Sequence, residues 1–112
     1  MNASFSPEEG APRTLALTWE ISDEPYPDLE VNSGDIIFFD YTRNHNVRMF
    51  KNEEAYEDCD FDDRWISPEG ELDAGPISFV VAEEEGETIY VGCSVDDHCE
   101  NGNMKLVINV VW

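Results

Sequence analysis

The stretch Val91-Gly92-Cys93-Ser94-Val95-Asp96-Asp97-His98-Cys99-Glu100-Asn101-Gly102-Asn103-Met104-Lys105 gathers a thiol, an imidazole and a thioether on one short loop. Upstream, Thr88-Ile89-Tyr90-Val91 reads as a strand that delivers Cys93. Downstream, Met104 to Trp112 reads as a second strand, with Met104, Leu106, Ile108 and Val110 on one face. A further imidazole, His45 in Asn44-His45-Asn46-Val47, lies far upstream, and the chain's two histidines are thereby both engaged. Two imidazoles, one thiolate and a weak thioether form the donor set of a trigonal copper electron-transfer site. Cu(I) favours soft sulfur and Cu(II) favours nitrogen, so a mixed set serves both states.

Strand signals continue outward from this loop. Residues 14–21, Thr-Leu-Ala-Leu-Thr-Trp-Glu-Ile, alternate, placing Leu15, Leu17, Trp19 and Ile21 on one face. A Pro-rich connector over 23–28 leads to Leu29-Glu30-Val31, and Asn32-Ser33-Gly34-Asp35 is a turn. Ile36-Ile37-Phe38-Phe39-Asp40-Tyr41 has the near-continuous apolar character of a central sandwich strand. A strand over 45–50 puts Val47 and Met49 on the side of His45. Residues 52–59 form the helical candidate, with Asn52 as cap and an acidic first turn. Residues 60–75 read as an acidic loop, and Ile77 to Val81 as a strand. About seven or eight short strands predict an all-β, antiparallel Greek-key sandwich with one short helix excursion. The expected organisation is a flexible segment over 1–13 and a single domain over 14–112.

The chain has 112 residues, of which six are Lys or Arg and 26 are Asp or Glu, for a net charge of −20. Such a surface repels phosphates and argues against nucleic acid as a partner. It suits docking to a basic redox partner by long-range steering, although acidity also simply keeps proteins dispersed. No stretch is long enough to span a membrane, and no export signal is visible at Met1. The expected state is a monomer.

The cysteine count is three, which in an oxidising compartment leaves one thiol over. Cys93 is the natural one to remain as a metal thiolate, which leaves Cys59 and Cys99 to pair. Neighbours on an extended segment point opposite ways, so His98 can face a metal while Cys99 faces Cys59. A disulfide implies an extracytoplasmic location: secreted, at the cell surface, in a periplasm or in an organelle lumen. The alternative is three reduced cysteines and a histidine around zinc; it lacks a Cys-x2-Cys pair.

Gly34-Asp35-Ile36-Ile37-Phe38-Phe39, His45-Asn46-Val47, Cys59, Ile89-Tyr90-Val91-Gly92-Cys93, His98-Cys99-x-x-Gly102 and Met104-Lys105-Leu106-Val107-Ile108-Asn109-Val110 together resemble the phytocyanin branch of the cupredoxins, the type 1 blue copper proteins. The resemblance spans roughly residues 14–111. It implies a cupredoxin-like sandwich, His45, Cys93 and His98 as equatorial copper ligands, the Cys59–Cys99 disulfide, and Asn46 holding the ligand loop by hydrogen bonds. One departure stands out. The family places its axial ligand five residues after the second histidine, where this chain has Asn103; Met104 follows one later. Either the loop 100–103 bulges by one residue and Met104 is axial, or Asn103 faces the copper. The strand pattern after Met104 favours Met104.

The expected function is electron transfer by one copper ion cycling between Cu(I) and Cu(II). The alternatives are a copper chaperone or store, and an extracellular interaction module without redox shuttling. Enzymatic activity is not expected: both histidines are committed to the metal, and Met104 closes the position a substrate would need.

Overall fold

A computed structural model describes residues 12–112. Eight strands and one helix follow in the order β1 (Thr14–Thr18), β2 (Leu29–Val31), β3 (Ile36–Asp40), β4 (Arg48–Phe50), α1 (Glu53–Asp58), β5 (Phe61–Trp65), β6 (Ile77–Val80), β7 (Thr88–Gly92) and β8 (Lys105–Val110). They form two sheets, of order β1-β3-β6 and β2-β8-β7-β4-β5. The segment expected to be flexible lies largely outside the described residues, as does the sequon-like Asn2-Ala3-Ser4.

The core lies between the sheets. Ile37 and Phe39 of β3, Ile89 and Val91 of β7, and Leu106, Ile108 and Val110 of β8 are all buried in one cluster with Trp19, Val47, Cys93 and Met104. Alternation makes this possible: on β8, every second residue from Met104 to Val110 is buried while its neighbours are partly exposed. Trp19 stands edge-on to Phe39, with ring centroids 5.2 Å apart, and fills the space between the layers.

Four expectations are corrected. The sandwich is not wholly antiparallel, because β1 runs parallel to β3 and β2 parallel to β8. The first strand stops at Thr18, and Ile21 is exposed rather than in line with Leu15, Leu17 and Trp19. The strand expected from His45 starts only at Arg48, with both Asn46 and Val47 buried, so the side alternation breaks across them. Residues 61–65 are a strand, not a loop. Asp62, Asp63 and Arg64 disguise it, but it is an edge strand on β4, anchored by Phe61 stacked on Phe50 at 4.3 Å, where charged side chains are tolerated.

The helix forms for the expected reasons. Asn52 Oδ1 accepts the Ala55 N–H at 2.9 Å, and Glu53 and Glu54 occupy the first turn. Cys59 ends it in a left-handed conformation, φ 55°, while the Asp60 N–H returns to the Ala55 carbonyl at 2.8 Å. The last turn carries no basic residue of its own. Lys105 from β8 supplies one, its Nζ donating to the Tyr56 carbonyl at 2.9 Å.

Asp35 closes the turn before β3. Its carboxylate accepts from Arg13 Nε at 3.1 Å, Arg13 Nη2 at 2.8 Å, the Arg13 N–H at 2.9 Å and the Asn32 N–H at 2.8 Å. Burial pushes this carboxyl up, but the Arg13 side chain and the two backbone N–H groups outweigh it, and the net shift is downward. A depressed carboxylate stabilises the fold above its unfolded pKa and loses that contribution as pH falls through the lower folded value. Asp35→Ala is expected to cost about 2–3 kcal/mol at neutral pH. Asp35→Asn should flatten the acid limb of the stability curve below about pH 4, where the unfolded carboxyl begins to take up a proton that the native one binds only at lower pH. Urea melts of the three proteins from neutral to acid pH check both.

Candidate metal centre

Three side chains from three places in the chain meet at one end of the sandwich. His45 comes from the segment before β4, Cys93 from the end of β7, and His98 from the loop between β7 and β8. Their donor atoms all lie within 4.8 Å of one another. The separations are 3.3 Å between the two Nδ1 atoms, 3.5 Å from Cys93 Sγ to His98 Nδ1 and 3.9 Å from Cys93 Sγ to His45 Nδ1. A triangle with those edges has its centre about 2.1 Å from each corner, the length of a bond from a transition metal to imidazole nitrogen or slightly short of one to thiolate sulfur. The donor set and its spacing therefore fit a metal ion of the size of zinc or copper.

The segment carrying His45 has no regular structure and is fixed by crossing bonds. The His45 N–H donates to the Leu72 carbonyl at 3.2 Å. The Asn46 carbonyl accepts the Trp19 indole N–H at 2.9 Å. The Val47 N–H donates to Ser67 Oγ at 2.9 Å, inside the protein. Asn46 itself is buried, and its side chain spans to the strand bearing Cys93: Oδ1 accepts the Ser94 N–H at 2.8 Å and Nδ2 donates to Ser94 Oγ at 3.0 Å.

The second segment is a tight loop. The Cys93 N–H donates to the Met104 carbonyl at 2.9 Å, and the Met104 N–H to the His98 carbonyl at 3.0 Å. Cys99 turns away from the site to Cys59, in a disulfide with a Cα separation of 6.1 Å, which excludes three reduced cysteines around zinc. Cys93 is the free, buried thiol. Met104 is fully buried in the core cluster, whereas Asn103 sits in a left-handed conformation, φ 57°, with Nδ2 donating to the Ser22 carbonyl at 2.8 Å. The positive φ thus falls on Asn103 and not on Gly102. Gly102 is needed for space: a Cβ there would lie 2.6 Å from the His98 carbonyl oxygen.

The electrostatics suit a metal. Burial lowers the pKa of His45, and the nearby His98 lowers it further, so the imidazole stays neutral and able to donate a lone pair. Burial pushes the Cys93 thiol up, against the pull of the Asn46 and Val95 backbone N–H groups, and the Asp96 charge adds to the rise. A metal ion replacing the thiol proton would reverse that balance.

Against protein-family models, residues 28–103 match the plastocyanin-like domain. The chain belongs to the plastocyanin-like domain family. Its fold is also similar to three solved phytocyanin structures. Cucumber stellacyanin in its Cu2+ form is 23% identical with a TM-score of 0.67, covering 90% of this chain and 97% of that one. Spinach plantacyanin is 25% identical with a TM-score of 0.60, covering 87% and 98%. Cucumber basic protein, a blue copper protein, is 22% identical with a TM-score of 0.52, covering 81% of each. Comparison with curated proteins finds no match. The architecture is the cupredoxin-like sandwich that the sequence resemblance implies.

The sequence pattern assigns no role at the site to Ser67 or Arg48, and it places Trp19 only on an apolar strand face. Trp19 carried a signal, as a Trp on an apolar strand face needs an acceptor for its N–H when buried. Ser67, beside Pro68 in an apparent loop, carried none.

Gly102→Ala is expected to destabilise the metal-free protein by about 1–3 kcal/mol, because the clash is with backbone and the loop must move. Asn101→Ala, at an exposed neighbour, should change stability by less than about 0.5 kcal/mol. Thermal or urea unfolding compares them.

Proposed function

We propose that this protein is an electron carrier holding one type 1 copper ion, with His45 Nδ1, Cys93 Sγ and His98 Nδ1 as equatorial ligands and Met104 as the axial one. The observation that carries the reading is the convergence of those two nitrogens and one sulfur at metal-binding spacing. Copper bound there supplies a one-electron couple between Cu(II) and Cu(I). The chain's part is to hold the donors still. Asn46 fixes His45 relative to Cys93, the Cys59–Cys99 bond fixes the loop next to His98, and hydrogen bonds to both segments restrict movement on electron gain or loss.

Met104 is favoured over Asn103 because the Asn103 amide is engaged with Ser22, while Met104 lies in the core against Cys93 through their main-chain bond. The left-handed Asn103 absorbs the extra residue of the loop. Both histidines turn Nδ1 inward, and the half-buried His98 offers a route for the electron to a partner. A carrier of this kind needs no substrate pocket and acts without catalysing a reaction of its own. The disulfide supports an extracytoplasmic location. Among the described residues, no helix is long and apolar enough to cross a membrane.

Cu(II)-loaded protein is expected to show an intense thiolate-to-copper band in visible absorption, and Cys93→Ser to remove it while far-UV circular dichroism stays unchanged. Met104→Gln should shift the spectrum and the reduction potential, and Asn103→Ala should change both little. A colourless protein selective for zinc would refute copper; the opposite ranking of the two variants would place the axial donor at Asn103.

The partner we propose carries a basic surface and docks near His98, where Asp96, Asp97 and Glu100 surround the loop. Stopped-flow electron transfer to a basic cytochrome should slow as ionic strength rises, and transfer to an acidic one should not. A flat response with both removes the steering.

A further inference from the structure

Arg48 opens β4 three residues after His45 and pairs in register with Gly92, the residue before Cys93. Val47 and Cys93 face the core, so Arg48 and Ser94 fall on the outer face of the sheet. The guanidinium is held there on three sides. Nη1 lies 3.4 Å from Ser94 Oγ, Nη2 donates to the Asp62 carbonyl at 2.6 Å, and the group lies over the Trp65 ring at 4.5 Å and the Phe61 ring at 5.4 Å. These partners are neutral: a hydroxyl, a carbonyl and two aromatic faces. The Asp62 carboxylate turns instead to Arg64, at 2.7 Å. Arg48 Nε is buried with no hydrogen-bond partner, a cost that a merely solvating surface arginine would avoid.

Ser94 is the residue after Cys93, and it also accepts from Asn46 beside His45. A permanent positive charge is therefore fixed one residue from the proposed thiolate, in a protein of net charge −20. We propose that Arg48 sets the redox balance of the site, its guanidinium favouring the reduced state; this rests on the copper reading above. Reduction brings one electron from a one-electron donor protein and lowers the charge of the site by one. No bond forms or breaks, and no proton moves. A fixed cation repels the less positive reduced site less, so its removal shifts the equilibrium toward the oxidised form. Being partly buried, it is also screened by salt less than the surface carboxylates are.

The test is voltammetry of the copper-loaded full chain and of Arg48→Met, Arg48→Gln and Arg48→Lys, with visible spectra, and thermal melts of the metal-free proteins. Arg48→Met and Arg48→Gln are expected to lower the potential by about 59 mV, a tenfold fall in the ratio of reduced to oxidised protein at fixed applied potential. Arg48→Lys, which keeps the charge, should hold most of the parent value. Where Arg48→Met does not fold, Arg48→Gln decides, as it can still donate to Ser94 or Asp62. Unchanged potentials in the neutral variants overturn the proposal. So does a shift in Arg48→Lys as large as in Arg48→Met, or loss of the fold in both neutral variants, since each would make Arg48 a clamp only. A parent protein without the visible band is a different outcome: it removes the copper reading itself.

Discussion

The Asn46 side chain spans two segments that are 48 residues apart, and the spacing of the site depends on it. A buried amide must find partners for its oxygen and its nitrogen. Here one residue, Ser94, supplies both, through its N–H and its hydroxyl. The Asn46 carbonyl meanwhile takes the indole N–H of Trp19, which follows β1 and packs edge-on to Phe39 of the adjacent strand β3. So the demand for satisfied buried polar groups, and not a regular element, fixes where His45 stands relative to Cys93. An apolar residue of similar size would leave the Ser94 N–H without its acceptor, and the loss would appear as uncertainty in donor spacing as much as in stability.

The other end of the site loop is tied by covalent and helical means. Cys99 follows His98 directly and is bonded to Cys59 at the C-terminus of α1, across 40 residues of sequence. A link of that length removes conformational freedom worth about 2–4 kcal/mol. The helix is too short to persist alone. Asn52 at its start and Lys105 at its end satisfy its terminal groups, and Lys105 belongs to the strand that leaves the site loop. Helix, disulfide and last strand thus close a ring around the loop from Cys99 to Lys105.

Much of this was legible, for reasons that particular residues make plain. The alternation of Leu106, Ile108 and Val110, and the cap at Asn52, act locally and read directly. The three side chains that the structure brings together, His45, Cys93 and His98, were legible because few roles need two histidines and a cysteine left over from pairing. Strand β5 was hidden because its middle residues are charged, and an edge strand requires only its ends, Phe61 and Trp65, to be held. The parallel pairing of β1 with β3 depends on crossovers that no local pattern encodes. The geometry of the loop was not legible, because it depends on contacts: Gly102 is required by the closeness of the His98 carbonyl, and Asn103 takes the left-handed turn. Ser67 and Arg48 act through contacts with residues distant in sequence, so nothing local announced them.

Charge acts at two ranges in this molecule. The 26 acidic residues set a field that extends outward from the surface and that counterions reduce within about 10 Å at ordinary ionic strength. Arg48 acts inward, over a short path through Ser94, behind Trp65 and Phe61, where counterions reach poorly. The two effects are therefore separable: surface carboxylates can change in number without moving the guanidinium, and its position depends on two aromatic rings and a carbonyl rather than on net charge. A strongly acidic surface raises the cost of adding an electron to any site beneath it, because negative charge opposes reduction. A cation held by neutral partners is the counterweight that such a surface calls for, since a carboxylate partner would cancel it. Asp62 gives Arg48 its carbonyl and gives Arg64 its carboxylate, so Arg48 has no hydrogen-bonded carboxylate beside Ser94; the Asp62 charge reaches it only through space, where Arg48 helps to lower the Asp62 pKa.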